Sequence, residues 1–312
     1  MALQVFLLLL SLVALYYGAE FALEAAEKLG RALGFSPLVI GLVIVGFGTS
    51  LPELFVSQLA SWRGEYPLAL GNIVGSNVAN LYLILGIAGV LSPLTLYRRD
   101  VMGQLIIHLL MTCGLIYVLS RSELNYLSAA VLFLFFILFL AFTYIEMRKE
   151  QSEEGAKEEV LVVEKITWQE IVKLNLGFAF LYAGGELIVY SGSNLGAMLG
   201  VSTFIISAVF VAFGTSLPEL ITAVMSFVKK KDMDLITGNI LGSNIFNGAF
   251  ILGSVSLHQF DLTLSFEKEL WAITGASVLL ILLAVLKLSF GRAAGIAFLG
   301  GYGAMLYFWI MV

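Results

Sequence analysis

Charge is scarce in this sequence. Only 12% of its 312 residues are Asp, Glu, Lys or Arg, while 60% are hydrophobic. A soluble globular chain carries about 25% charged residues, so this one cannot cover a water-facing surface; its mean hydropathy of +0.97 suits contact with lipid. The net charge of −5 offers no basic surface, which excludes nucleic acid as a partner. A single cysteine, Cys113, rules out an intrachain disulfide and a thiolate metal cluster. Two histidines, His108 and His258, cannot build a zinc site alone. A basic leader is also missing: the first charge is Glu20 and the first basic residue Lys28, so the N-terminal apolar run reads as a first transmembrane helix rather than a signal peptide. The only aspartates are Asp100, Asp232, Asp234 and Asp261, all near the ends of apolar stretches. The paired intramembrane aspartates of a protease are therefore absent, no nucleophile–histidine pair sits mid-span, and the chain does not read as an enzyme or as one needing a cofactor.

What is abundant is the long apolar run. A span needs about 20 mostly apolar residues. Ten stretches qualify, near 2–26, 38–61, 67–91, 101–119, 124–147, 169–191, 202–228, 235–257, 268–286 and 292–311. An all-α membrane protein of ten transmembrane helices is expected. The longest polar break, 148–168, reads RKEQSEEGAKEEVLVVEKITW and divides the chain nearly in half, as a solvated linker.

The halves repeat. VGFGTSLPEL at 45–54 matches VAFGTSLPEL at 211–220, an offset of 166, and GNIVGSN at 71–77 matches GNILGSN at 238–244, an offset of 167. Upstream, Gly18 and Glu20 meet Gly184 and Glu186. Such self-similarity marks a duplicated structural unit. Residues 1–147 form a first five-helix repeat and 169–312 a second. Five is odd, so the second copy enters the membrane upside down, as in many secondary transporters with a site at the repeat interface. With both termini outside, fourteen of the 17 basic residues fall on the cytoplasmic side with the 148–168 linker, and only Arg63, Arg121 and Lys268 fall outside.

The chemistry lies in the repeated motifs. Glu53 and Glu219 fall deep within spans two and seven. Two such acids cost roughly 5–7 kcal/mol on insertion scales, and no lysine or arginine lies deep in any span to neutralise them. Protons or bound cations must do so. Gly46, Thr49, Ser50 and Glu53 share one helix face by spacing. Pro52 and Pro218 each remove an amide hydrogen, so kinks that turn backbone carbonyls toward the acids are expected. Carboxylates, hydroxyls and carbonyls make an all-oxygen site for hard cations such as calcium and sodium. Facing stripes are supplied by Asn72, Ser76 and Asn80 and by Asn239, Ser243 and Asn247, each four residues apart. A site of charge −2 is neutral with one Ca2+ or two Na+, and a third Na+ makes it +1, so electrogenic exchange is expected. Protons using the same two acids remain the alternative counter-ion.

Both motifs, present twice and in order, resemble the cation/calcium exchanger superfamily, and within it the sodium/calcium exchangers of the short prokaryotic and archaeal type. The resemblance covers nearly the whole chain and rests on GTSLPE at 48–53 and 214–219, each followed by GNIVGSN or GNILGSN. It implies that Glu53 and Glu219 coordinate Ca2+ together with the carbonyls of Thr49 and Thr215. It implies Na+ sites at Ser50, Ser76 and the carbonyl of Gly46 in one half, and at Ser216, Ser243 and the carbonyl of Ala212 in the other. Asn80 and Asn247 would line the centre, and spans one and six would slide as a gate against the other eight. Some relatives carry aspartate at one central asparagine position; amides at both argue against potassium co-transport. The linker is too short for a regulatory calcium-sensing domain. The lipid bilayer, Na+ and Ca2+ are the expected partners, and a monomer is compatible with this reading.

The remaining features have plainer readings. Glu20 and Glu186 cap, snorkel or line an ion path; Glu24 and Glu27 are solvated; His108, His258 and Cys113 are packing residues. The phenylalanine-rich run 133–142 faces lipid, and Lys229 to Lys231 mark the cytoplasmic boundary.

Overall fold

The computed structural model describes residues 1–32, 46–97, 99–153, 167–228 and 234–311. Among the described residues eleven helices carry the fold. They are α1 (Ala2–Ala32), α2 (Leu51–Trp62), α3 (Tyr66–Leu91), α4 (Arg99–Leu119), α5 (Tyr126–Glu153), α6 (Trp168–Leu199), α7 (Thr203–Thr215), α8 (Leu217–Val228), α9 (234–256), α10 (Glu267–Val285) and α11 (Arg292–Met311). A helical turn, Gly46–Gly48, precedes α2. The two strands, β1 (Glu123–Leu124) and β2 (Phe260–Asp261), are two residues each.

Sequence sets these boundaries locally. Thr167 caps α6 through a reciprocal box with Glu170, and α6 ends on Gly200, whose φ of +67° is the left-handed conformation that glycine tolerates. Most of the predicted linker, together with 38–45 of predicted span two, Arg98 and Lys229 to Lys231, lies outside the described residues.

Seven helices among the described residues are long and apolar enough to cross a membrane, and the α7–α8 pair, bent by 41°, makes eight. The ten predicted spans are thus not all recovered on length and hydropathy. One missing span begins outside the described residues. The other is α9, which begins next to residues outside the description. Contacts between loops nonetheless require α9 to cross. Strand β1 pairs antiparallel with β2, Leu124 against Phe260, and Leu94 bridges Phe290. Bonded loops share a membrane face. Between Leu124 and Phe260 the chain runs through α5, α6, the α7–α8 pair and α9, and only an even number of crossings returns it to one side. At ~1.5 Å per residue α9 spans about 34 Å, enough for a ~30 Å core.

Inversion of the repeats is visible directly. α1 and α6 are repeat mates, and they pack antiparallel. A side chain on Gly18 would meet the Leu181 amide nitrogen at 2.8 Å, one on Gly177 the Ala22 nitrogen at 2.6 Å, and one on Gly184 the Leu15 nitrogen at 3.0 Å. Glu24 pairs with Lys173 and Lys28, and Lys28 reaches Glu170 at 3.8 Å. Glu24 is therefore ion-paired rather than merely solvated.

The centre of the molecule is α3, which has 78% of its apolar window buried against 22–44% for the other single-helix spans. The phenylalanine run on α5 does not simply face lipid. Leu134, Ile137 and Leu138 are exposed, while Phe139 is buried and Phe136 packs 5.5 Å from Phe47. Phe47 stacks on Phe246 at 4.6 Å. The helical period splits the run between two faces.

Candidate cation site

The expected proline kinks are full breaks. The helix stops at Thr49–Ser50 and again at Ser216, and α2 and α8 restart with proline in the first turn, where its missing amide hydrogen has no partner to lose. Glu53 and Glu219 consequently sit in the first turn of a new helix, where the helix dipole favours negative charge. Both are essentially unexposed, at 0% and 1%.

The two acids are cross-linked through serines of opposite repeats. Ser216 donates to Glu53 Oε1 at 3.0 Å, and Ser50 donates to Glu219 Oε1 at 3.2 Å. Each acid also takes a bond from the stripe helix of its own repeat: Ser76 to Glu53 Oε1 at 3.4 Å, and Ser243 to Glu219 Oε1 at 3.2 Å. Ser76 further contacts the Ala212 carbonyl and Thr215 Oγ1, both at 3.5 Å. Thr215 donates to Asn72 Oδ1 at 3.0 Å, and Asn72 braces the Glu53 carbonyl at 3.2 Å and Ser57 at 3.0 Å.

Four hydroxyls thus converge on the Oε1 atoms alone. Oε2 of both glutamates is buried without a hydrogen-bond partner, and so are both amide atoms of Asn80 and of Asn247 and the hydroxyl of Thr49. Buried polar atoms in folded proteins are almost always partnered, and these unpartnered carboxylate, hydroxyl and amide atoms have the chemistry to hold a cation. The ion pairs on Glu24, Glu170 and Glu186 lie elsewhere. Among the described residues the cluster offers carboxylate, hydroxyl and amide oxygens and no imidazole or thiol, which fits hard ions. Gly46 opens the turn just before the first break, and the stripe member Asn239 is only part-buried.

Three features are not legible in the sequence. Asn80 and Asn247 each lie in a π turn, Ala79–Ile84 and Phe246–Ile251, of the widened kind common at functional sites. Asn72 proves to be a brace. Glu186 forms an ion pair with Arg63, at the end of α2. Equal spacing of the asparagines in both repeats is a signal for the first; nothing in residue type announces a π turn.

A sequence profile described as "Sodium/calcium exchanger protein" matches residues 3–145 and 170–311. The chain belongs to this sodium/calcium exchanger family. It is a membrane cation/calcium antiporter by family and not an enzyme. Inner membrane protein YrbG of Escherichia coli is 32% identical over 98% of each chain, and sodium/calcium exchanger MaX1 of Methanosarcina acetivorans 29% identical over 96% of each. Among solved structures, the sodium-calcium exchanger NCX_Mj, soaked with 10 mM Na+ and 10 mM Sr2+, superposes with a TM-score of 0.64 at 30% identity over 96% of both chains. The exchanger fold therefore extends over both repeats of this chain.

Proposed function

We propose that the protein exchanges Na+ for Ca2+ by alternating access, with Glu53 and Glu219 as the shared ligands of both ions. The observation that carries this reading is the pair of buried carboxylates whose Oε1 atoms are each held by serines from both repeats while their Oε2 atoms stay free. One Ca2+ between the Oε2 atoms balances both charges. Thr49 and Thr215 complete that seat through their carbonyls. The hydroxyls of Ser50, Ser76, Ser216 and Ser243, with the carbonyls of Gly46 and Ala212, provide separate seats for Na+, and Asn80 and Asn247 line the centre. Names among the relatives, MaX1 and NCX_Mj, agree with these ions. Residues 1–147 and 169–312 act as the two repeats about a cytoplasmic linker at 148–168, with both termini outside the cell membrane. The basic-residue bias supports this orientation.

The deciding assay is Ca2+ uptake into vesicles carrying a Na+ gradient at clamped pH. Uptake that follows pH and ignores Na+ would transfer the reading to proton/calcium exchange. Ser50→Ala and Ser216→Ala each remove one crossed hydroxyl. Each is expected to raise half-saturating Na+ about fivefold while moving half-saturating Ca2+ less than twofold. Equal shifts for both ions would show that the serines do not form distinct Na+ seats.

Protons compete for the same oxygens. Carboxylate protonation removes the charge that holds Ca2+, so binding weakens as pH falls. Titration of Ca2+ affinity between pH 8 and pH 5 should show this decline, and a flat profile would contradict carboxylate coordination.

A further inference from the structure

His108 stands in the middle of α4, fully buried, and the exchange cycle described above makes no use of it. Its ring is held at both nitrogens. Nδ1 lies 3.0 Å from Ser277 Oγ on α10, and Nε2 lies 3.4 Å from Asn244 Nδ2 on α9. Ser277 donates its hydroxyl hydrogen to the Ile273 carbonyl at 2.7 Å. It can only accept from the ring, so the ring proton sits on Nδ1 and Nε2 is a bare acceptor.

Asn244 supplies what Nε2 needs. Its Nδ2 has two hydrogens; one goes to His108 and the other to the Asn77 carbonyl at 3.2 Å. The reversed carboxamide would set its oxygen against two acceptors, so the amide has one orientation. The Asn244–Asn77 bond ties α9 to α3 at a telling level. Asn244 follows Ser243 and Asn77 follows Ser76, the two stripe serines bonded to Glu219 and Glu53. In the other repeat the positions 166–168 residues further on are Thr274, Gly275 and Ala276, so the tie is braced from one repeat only.

We propose that His108 is a positioning residue for the cation site: through Asn244 it locks the α9–α3 tie and so holds Ser243 and Ser76 in register with the two carboxylates. This rests on the proposed reading of that site as a Ca2+ and Na+ site.

Two isosteres test it. The amide of glutamine at 108 reaches the place of Nε2 and keeps the acceptor for Asn244; that of asparagine reaches the place of Nδ1 and keeps only the bond to Ser277. Each variant loses one hydrogen bond and keeps one, so a purely structural role affects both alike. Half-saturating Na+ is read from exchange in vesicles, and the Na+-dependent rise in melting temperature from purified protein. His108→Gln is expected to stay within about twofold of the parent, and His108→Asn to raise half-saturating Na+ about fivefold with maximal rate unchanged, while the Na+-free melting temperature falls by a similar few degrees in both, since each leaves one buried group unpaired. Equal shifts of half-saturating Na+ in both variants, or an unshifted His108→Asn, would overturn the positioning role alone. A parent protein whose flux and melting ignore Na+ would overturn the proposed Na+ seats and this inference together.

Discussion

Glu53→Gln and Glu219→Gln are each expected to abolish Ca2+ transport while leaving a folded, monodisperse protein. Glutamine keeps an Oε1 acceptor for the crossed serines, Ser216 and Ser76 at position 53 and Ser50 and Ser243 at position 219. It also removes a buried charge, and replacing buried charge by a neutral group is often neutral or stabilising. Folding should therefore survive. Ion binding should not. A unit charge at ~4 Å in an effective dielectric of ~20 is worth about 4 kcal/mol for each unit of charge on the ion, so divalent Ca2+ should lose at least a thousandfold in affinity. Size-exclusion profiles and vesicle uptake measured on the same preparations separate the two effects. Exchange above a hundredth of the parental rate in either variant would remove that residue from direct contact with Ca2+.

A comparable loss is expected from Gly75→Ala, through packing alone. A side chain at Gly75 would fall 2.7 Å from the Ala208 Cα and 2.8 Å from the Ala208 carbonyl oxygen, both backbone atoms that no rotamer change can move aside. α3 and α7 must then separate by roughly 1 Å to restore ordinary contact. Ser76 is the next residue, and its contacts to Glu53 and the Ala212 carbonyl, at 3.4 and 3.5 Å, have no length to spare. Overpacking typically costs 1–3 kcal/mol, so the melting temperature should fall by several degrees and transport by more than about tenfold. Gly300→Ala is the control: no heavy atom lies within 4 Å of its added carbon, and it should behave as the parent. An active, unshifted Gly75→Ala would mean that α3 and α7 do not approach each other this closely.

Much of the fold is legible in the sequence because the duplicated motifs report symmetry directly. The offsets of 166 and 167 announce two copies, and five spans per copy force inversion, which the antiparallel α1–α6 pair displays. The two acids, their serines and the helix breaks are equally readable, since lipid tolerates an uncompensated charge beside a proline at few places besides an ion site. Residues whose meaning depends on a partner distant in sequence are not. His108 reads as packing because its partners, Asn244 and Ser277, lie 136 and 169 residues away. Phe136 and Phe139 read as lipid-facing bulk because periodicity alone does not tell which face of α5 meets Phe47 and Phe246. The two-residue strands are invisible because nothing in Glu123–Leu124 or Phe260–Asp261 marks a strand until each finds the other.

Those small strand contacts carry a consequence about origin. Leu124 meets Phe260, and Leu94 meets Phe290; adding the 166-residue offset to the first member of each pair gives the second member of the other. The association of the halves is thus isologous, each presenting the same two patches and receiving them in exchange. A lone half would already carry both sides of its own interface, so the chain is organised as a two-fold homodimer whose subunits have been fused by a single tether.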